Sequence, residues 1–176
     1  MRATPLRAAV ATMLAGALLA AVSPAVAHAQ APQSGDPGIL QETDRIQNLK
    51  SGKVLQAVSS ANGAKVVQQT RNVDNDLQSW FLILNNTYFS YQNFQSDLNL
   101  GIDGASMAAG AAAITAKPSS DANQDWIIKW RSSTVFEMKN RNSGKCLGIS
   151  GASEDNGAQA AQFDCDGKRN QGWILN

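Results

Sequence analysis

The tripeptide Gln-x-Trp occurs three times in the chain, as QSW at 78–80, QDW at 124–126 and QGW at 171–173. Three of the four tryptophans in the 176-residue sequence belong to this motif, and they lie 46 and 47 positions apart. A motif that returns at a constant interval of this length indicates a repeated structural unit. The chain is therefore predicted to contain three related units.

Other anchors recur in the same register. They are the Gly-Ala pairs at 63–64, 110–111 and 157–158, the leucines Leu55, Leu100 and Leu147, and the Ser-Gly-Lys tripeptides at 51–53 and 143–145. Because these anchors agree with the tryptophan spacing, the repeat extends well beyond the Gln-x-Trp motif. A unit of about 46 residues cannot bury its apolar face alone, so the units must share one core.

Each unit is predicted to consist of short strands joined by turns. Ser-Gly pairs at 51–52 and 143–144 supply the positive φ of a tight turn, and the apolar runs at 80–84 and 126–128 are rich in aromatic and branched residues. The alanine-rich stretch 105–116 favours a helix by propensity. It occupies the register of a Gly-Ala turn and a strand in the other units, so we predict loop and strand there.

Three units are too few for a propeller, which typically has four to eight blades. A closed three-fold arrangement solves the burial problem if one tryptophan of each unit points into a common centre. Trp80, Trp126 and Trp173 are therefore predicted to be structural core residues, with each indole N–H satisfied internally.

With these motifs in this register, the sequence resembles the ricin B-type lectin family. The resemblance implies an all-β fold, a β-trefoil of three Q-x-W repeats of about 46 residues. It covers residues 43–176, with units at about 43–87, 88–133 and 134–176. It also implies a disulfide within the third unit, between Cys146 and Cys165, whereas the same slots hold Val54 and Arg71 in the first unit and Asn99 and Pro118 in the second.

The first 29 residues have the features of a secretory signal peptide. Arg2 and Arg7 give a basic start, residues 8–22 are almost wholly apolar, and Ala27-His28-Ala29 offers a cleavage site. The alanine-rich leader is typical of a bacterial, actinobacterial-looking secreted protein. Residues 30–42, with two prolines and several Gly and Ser, are predicted to be a flexible lead-in.

Cleavage would remove the only histidine, His28. Without histidine there is no Ser-His or Cys-His nucleophile pair, and no pair of carboxylates is marked as catalytic, so we predict no enzyme activity and no catalytic residues. The near-zero net charge, without a basic stripe, argues against nucleic-acid and membrane partners. The acidic runs at 74–76 and 154–157 lack the spacing of a calcium loop, so neither a metal nor a cofactor is predicted.

The resemblance implies carbohydrate binding through three features of each unit. These are a carboxylate after the Cys-Leu strand, an aromatic platform on the next strand, and an Asn beside the Q-x-W glutamine. The carboxylate slot holds Gln56, Gly101 and Gly148, the platform slot holds Gln69, Ala116 and Phe163, and the Asn slot holds Leu77, Asn123 and Asn170. All three units lack the carboxylate, and only the third has an aromatic platform.

The third unit is thus the predicted carbohydrate site, formed by Phe163, Asn170, Gln171 and Ser150. A secondary pocket is predicted at Asp103, Asn123 and Gln124. Ser150 and Asp103 lie two residues after the empty carboxylate slots, where a residue of the same strand face can reach the pocket rim. The alternative for both is a solvated loop residue.

Asp164 and Asp166 flank Cys165 and are either carboxylates for the third pocket or ordinary turn residues. The leading functional prediction is a secreted, lectin-like module that binds a polysaccharide or glycan weakly. The alternative is a protein-interaction or inhibitory β-trefoil whose exposed loops, such as 59–63 or 119–123, meet a protein partner. A separately encoded secreted enzyme is a further potential partner.

Overall fold

The computed structural model describes residues 43–176, and the predicted signal peptide 1–29 and lead-in 30–42 lie outside this range. The described residues contain strands and one-turn 3₁₀ helices, which agrees with the all-β prediction. The strands are β1 Ile46–Asn48, β2 Val54–Ala57, β3 Val66–Gln69, β4 Trp80–Asn85, β5 Tyr88–Asn93, β6 Asn99–Ile102, β7 Ala113–Ala116, β8 Trp126–Trp130, β9 Phe136–Asn140, β10 Cys146–Ile149, β11 Ala160–Phe163 and β12 Trp173–Leu175. The 3₁₀ helices are Asp76–Gln78, Asp103–Ala105, Ala122–Gln124, Ser150–Ala152 and Arg169–Gln171.

Six strands pair in a ring. Strand β1 pairs with β12, β12 with β9, β9 with β8, β8 with β5 and β5 with β4, all antiparallel. An antiparallel bridge between Asp44 and Trp80 joins β4 to the residues before β1 and closes the ring. The remaining strands form the hairpins β2–β3, β6–β7 and β10–β11. Each unit therefore supplies two ring strands and one hairpin, which is the β-trefoil arrangement.

The three Q-x-W tryptophans are buried in one core, as predicted, with at most 1% of each side chain exposed. Each Nε1–H donates to a carbonyl of the second strand of its own unit: Trp80 to Leu55 at 3.2 Å, Trp126 to Leu100 at 3.0 Å and Trp173 to Leu147 at 3.1 Å. The indole is thus buried without an unsatisfied donor, which would cost about 1–3 kcal/mol. The motif tryptophan determines the fold and has no free face for a ligand.

The motif glutamine holds the loop that precedes it. In each unit its Nε2 donates to the carbonyl seven or eight residues earlier, and its Oε1 accepts from the N–H five or six residues earlier. The two partners are Thr70 and Asn72 for Gln78, Lys117 and Ser119 for Gln124, and Asp164 and Asp166 for Gln171. Because both ends of the amide are used, the loop keeps one conformation against the buried tryptophan.

The Gly-Ala pairs join the units to one another. Each glycine has a φ between 80° and 85° and donates its N–H to a strand of a different unit. The bonds run from Gly63 to Thr115 at 2.7 Å, from Gly110 to Gln162 at 2.7 Å and from Gly157 to Gln68 at 2.9 Å. First unit bonds to second, second to third and third to first, so the repeat closes on itself. The alanine-rich stretch is loop followed by β7, which confirms the prediction against a helix.

The predicted disulfide between Cys146 and Cys165 is present, with the Cα atoms 5.0 Å apart. It links the first residue of β10 to the loop after β11, across a sequence separation of 19. Among residues 43–176 there is no helix long and apolar enough to cross a membrane.

Candidate functional site

A shallow depression of about 370 Å³ lies beside the β10–β11 hairpin of the third unit. It brings together three of the four residues predicted for this site, Phe163, Asn170 and Gln171. Its other lining residues are Ala109, Ile149, Gly151, Ala152, Asp164 and Asp166. Ser150 is partly exposed and is not on this wall, where its neighbours Gly151 and Ala152 take its place.

Phe163 is the last residue of β11 and is directly paired with Cys146 on β10. The disulfide at Cys146 therefore anchors the strand pair at the position from which the phenyl ring projects. The ring is partly exposed and forms one side of the depression. A held aromatic surface of this kind is suited to pack against the C–H face of a sugar ring.

Asn170 differs from its counterpart in the second unit. The Asn123 side chain donates to the carbonyl of Ile102 at 3.0 Å, so its amide is committed to the backbone. The Asn170 side-chain amide forms no hydrogen bond with any described residue, and only its backbone carbonyl is engaged, by Asn48 at 3.0 Å. The third unit therefore offers a free amide at the edge of the depression, and the second does not.

Gln171 lies at the back of the depression with 2% of the residue exposed. Its Nε2 donates to the carbonyl of Asp164 at 2.9 Å, and its Oε1 accepts the N–H of Asp166 at 3.1 Å. Both ends of the amide are thus bonded to the backbone of the loop. The residue therefore positions the loop that carries the two aspartates.

Two carboxylates border the depression. Asp164 is 85% exposed and accepts from Lys145 Nζ at 2.5 Å, while Asp166 is 35% exposed and pairs with Lys168 Nζ at 2.9 Å. The backbone N–H of Lys168, and then its ammonium group, lower the pKa of Asp166, so this carboxylate is charged near neutral pH. Both groups retain acceptor capacity for hydroxyls.

The empty carboxylate slot at Gly148 has no free space. A Cβ atom there would lie 2.9 Å from Gln171 Cγ, 3.3 Å from the Asn170 carbonyl oxygen and 3.4 Å from Phe163 Cδ2. Since Gln171 is held at both ends of its amide, it cannot yield easily. The surrounding side chains therefore leave no room for a carboxylate side chain at position 148.

We expect Gly148→Ala to destabilise the protein by about 1–3 kcal/mol, the usual cost of overpacking a filled site. Urea denaturation of the variant and the parent measures this difference. Gly151→Asn is a matched comparison, because nothing lies within 4 Å of its Cβ position and Asn tolerates its φ of 61°. A Gly148→Ala protein as stable as the parent would show that Gln171 moves freely.

The residues predicted for the secondary pocket lie at the start of one 3₁₀ helix and at the end of another. Asp103 is exposed at the start of the 3₁₀ helix Asp103–Ala105. Gln124 is 4% exposed and hydrogen-bonded at both ends of its amide, and the Asn123 amide is held by the backbone of Ile102. None of the three borders the depression in the third unit or the two described next.

Two further depressions, of about 400 and 350 Å³, lie beside the second unit and were not indicated by the sequence. Ala109 in the third-unit site was also missed, because it comes from the second unit and only the three-fold closure brings it there. Its place within an alanine-rich run gave no signal.

Within residues 43–176, no group of three or more His, Cys, Asp or Glu side chains is arranged to hold a metal ion.

The chain belongs to the ricin-type beta-trefoil lectin domain-like family, whose model matches residues 40–116 and 122–176. Among solved structures it is similar to ThreeFoil, a designed three-fold symmetric protein, with 30% identity, a TM-score of 0.73, and coverage of 76% of this chain and 96% of that one. No curated protein sequence matched the chain.

The chain is also similar to part of 1,3Gal43A, an exo-beta-1,3-galactanase from Clostridium thermocellum. The identity is 27% and the TM-score 0.74, over 77% of this chain but only 30% of the galactanase chain. The Macrolepiota procera ricin B-like lectin, solved with lactose, shares the fold at 19% identity, with a TM-score of 0.66 over 77% of this chain and 94% of that one. Family and fold together suggest carbohydrate binding in general, in a non-enzymatic domain.

Proposed function

We propose that this protein is a secreted carbohydrate-binding module that holds a polysaccharide or glycan through the depression of its third unit. The observation that carries the proposal is the meeting of Phe163 with the free Asn170 amide in one depression. An apolar face for the sugar ring and an orienting amide are two of the three groups that a ricin-type site needs.

The remaining requirement, a charged acceptor for hydroxyls, falls to the loop after β11. Asp164 and Asp166 border the same depression, and Gln171 fixes the backbone that carries them. They stand in for the carboxylate that Gly148 lacks. Asp164 is largely exposed, and hydroxyls bound to exposed carboxylates compete with water. A single site of this kind binds weakly, on the order of millimolar or about −4 kcal/mol.

Weak single-site binding favours a polymeric ligand. A polysaccharide presents the same sugar many times, so each released site finds another copy close by. The disulfide agrees with an oxidising compartment, and the leader at 1–29 agrees with export. We infer that the protein acts outside the cell, without catalysis of its own, either alone or beside a separate secreted enzyme.

The protein-interaction alternative depends on exposed loops, and one of the two loops named for it is occupied. In the 59–63 loop, Asn62 accepts the backbone N–H of Lys117 at 2.8 Å, and Gly63 donates to Thr115. The 119–123 loop borders the two depressions beside the second unit. It is the better candidate surface if no glycan binds.

We expect Phe163→Ala to lower retention on insoluble polysaccharide sharply, because the third-unit depression loses the one aromatic side chain among its described lining residues. Pull-down of the variant and the parent with a panel of insoluble polysaccharides measures the bound fraction. Gln69→Ala is the matched control, since Gln69 occupies the same slot of the first unit. Both variants should keep the parent's β-rich circular dichroism spectrum.

Equal retention of Phe163→Ala and the parent would eliminate the third-unit site. If neither protein is retained on any polysaccharide, and a glycan array is also blank, the protein-interaction reading takes precedence.

A further inference from the structure

The two depressions beside the second unit share the lining residues Asn85 and Ser119, so they are adjacent, and together they are called the second-unit groove. It runs between the turn that joins β4 to β5 and the loop that follows β7, and Asp125 and Arg141 stand at one end. This second-unit groove is distinct from the third-unit depression, with which it shares no lining residue. None of its lining residues occupies a slot that the family resemblance marks for sugar binding. Two of them, Asn99 and Pro118, occupy the slots that hold the disulfide cysteines in the third unit.

Comparison with the third unit explains why the groove is open. Asn85 follows the Q-x-W tryptophan by five residues, as Arg131 does in the next unit. The Arg131 guanidinium donates to Glu137 at 2.6 and 2.9 Å and to the Lys168 carbonyl at 3.0 Å. It lies against Gly172, whose Cβ position is 3.0 Å from Arg131 Nη1. In the third unit, therefore, the Arg131 side chain fills the space beside Gly172, the residue between the motif glutamine and tryptophan.

In the second unit that space is not filled. The Asn85 side chain is too short to cross it and donates instead to Ser90 Oγ at 2.8 Å. The residue between Gln and Trp is Asp125, which takes the place of Gly172 and carries a carboxylate into the groove. The exchange of a long cation for a short amide and of a glycine for an aspartate turns a packed contact into a polar groove.

The charged groups of the groove are already balanced. Arg141 Nη1 donates to Asp125 Oδ2 at 2.9 Å, and the guanidinium lies 4.1 Å from the centre of the Tyr88 ring. The Asp125 side chain is only 10% exposed, and its other oxygen lies 3.5 Å from Ser90 Oγ. The remaining lining residues are uncharged. An anionic ligand would meet the Asp125 carboxylate with no unpaired cation to offset the repulsion.

One residue that lines the groove carries a buried acceptor without a partner. Asn99 lines it with 5% of the residue exposed, and its Oδ1 has no hydrogen-bond partner among the described residues. Its Nδ2 donates to Gln124 Oε1 at 3.0 Å, which fixes the orientation of the amide. Buried acceptors without partners are uncommon in native proteins. Because the Oδ1 atom is itself buried, a ligand hydroxyl would reach it only after a small displacement of the groove wall.

We propose that the second-unit groove is a second ligand site, which takes an uncharged saccharide rich in hydroxyls. The guanidinium of Arg141 keeps N–H donors beyond the one given to Asp125, and the serines at 119 and 120 add hydroxyls that both donate and accept. Two hydroxyls on adjacent sugar carbons can donate to a serine oxygen and accept from the guanidinium at the same time. The site does not depend on Phe163, so it stands or falls separately from the third-unit site.

The test maps binding by amide chemical shifts of the full chain from residue 30 onward, titrated with lactose, cellobiose, xylobiose and sialyllactose. We expect saturating shifts at Asn86, Ser120 and Arg141 with at least one neutral disaccharide, and these shifts should persist in Phe163→Ala. Ser120→Trp should weaken this binding by at least about tenfold by filling the groove from an exposed position. Ser133→Trp, at an exposed serine of the β8–β9 turn, should leave it unchanged.

A second variant, Arg141→Lys, keeps the charge beside Asp125 and removes the planar fork of donors, so it should also weaken binding. Shifts confined to the surroundings of Phe163, or no saturating shift with any of the disaccharides, would overturn the groove site. Stronger binding of sialyllactose than of lactose at these residues would overturn the assignment of an uncharged ligand. Loss of retention in Phe163→Ala with the groove shifts intact would separate the two sites.

Discussion

Trp126→Ala is expected to lower the free energy of unfolding by about 3–5 kcal/mol, a large share of the 5–15 kcal/mol typical of a domain. The side chain is fully buried in the core shared by the three units. Its removal leaves a cavity, and it also leaves the Leu100 carbonyl without the indole donor that lies 3.0 Å away. Urea denaturation followed by circular dichroism gives the difference between variant and parent.

The same strand supplies the control. Trp130 is the last residue of β8 and is 57% exposed, in contact with Phe136 at 5.4 Å between ring centres. Trp130→Ala should therefore cost about 1 kcal/mol or less, mainly the aromatic contact. If the two variants lost equal stability, burial of the Q-x-W tryptophan in the core would not be a main source of the stability of the fold. Deletion from Trp173 onward should abolish cooperative unfolding, since it opens the same core.

Removal of the disulfide is expected to cost about 3 kcal/mol in the chain-entropy model, because a loop spanning 19 positions is no longer closed in the unfolded chain. The double variant Cys146→Ala with Cys165→Ala tests this by urea denaturation. The loss should also reach the third-unit site, because Cys146 is paired with Phe163 across the hairpin. Retention on polysaccharide should fall even though no proposed ligand group is changed.

A reducing agent provides the matched control for the disulfide. It should destabilise the parent by a similar amount and leave the double variant unchanged. Both cysteines should resist thiol reagents in the untreated protein and react after reduction. Two reactive thiols in untreated protein would contradict the bridge.

The repeat was visible in the sequence because each unit must meet the same local requirements. Every unit buries a tryptophan, holds a loop with the preceding glutamine and turns at a Gly-Ala pair, so the same residue types return at the same spacing. The repeat also identified the alanine-rich stretch 105–116 as loop and strand, because its register outweighed the helix propensity of alanine. The meeting of Phe163, Asn170 and Gln171 in one depression followed from the same register.

Other features depend on residues that differ between units, and the repeat carries no information on them. Asn170 and Asn123 occupy the same slot, yet only the Asn123 amide is taken by a backbone carbonyl. The space at Gly148 is closed by Gln171, more than twenty positions later in the chain. Neither fact can be obtained from spacing, because each depends on the orientation of a side chain relative to its neighbours.

The sequence by itself determined the three units, their shared tryptophan core and the third unit as the one with an aromatic platform. Only the tertiary structure decided which polar groups remain free, that Ala109 of the second unit borders the third-unit site, and that a groove opens where Asn85 stands in place of Arg131. The physical reason is that periodic burial is a local demand repeated in every unit. A site, by contrast, is formed by contacts between units, where residues distant in the sequence either fill a space or leave it open.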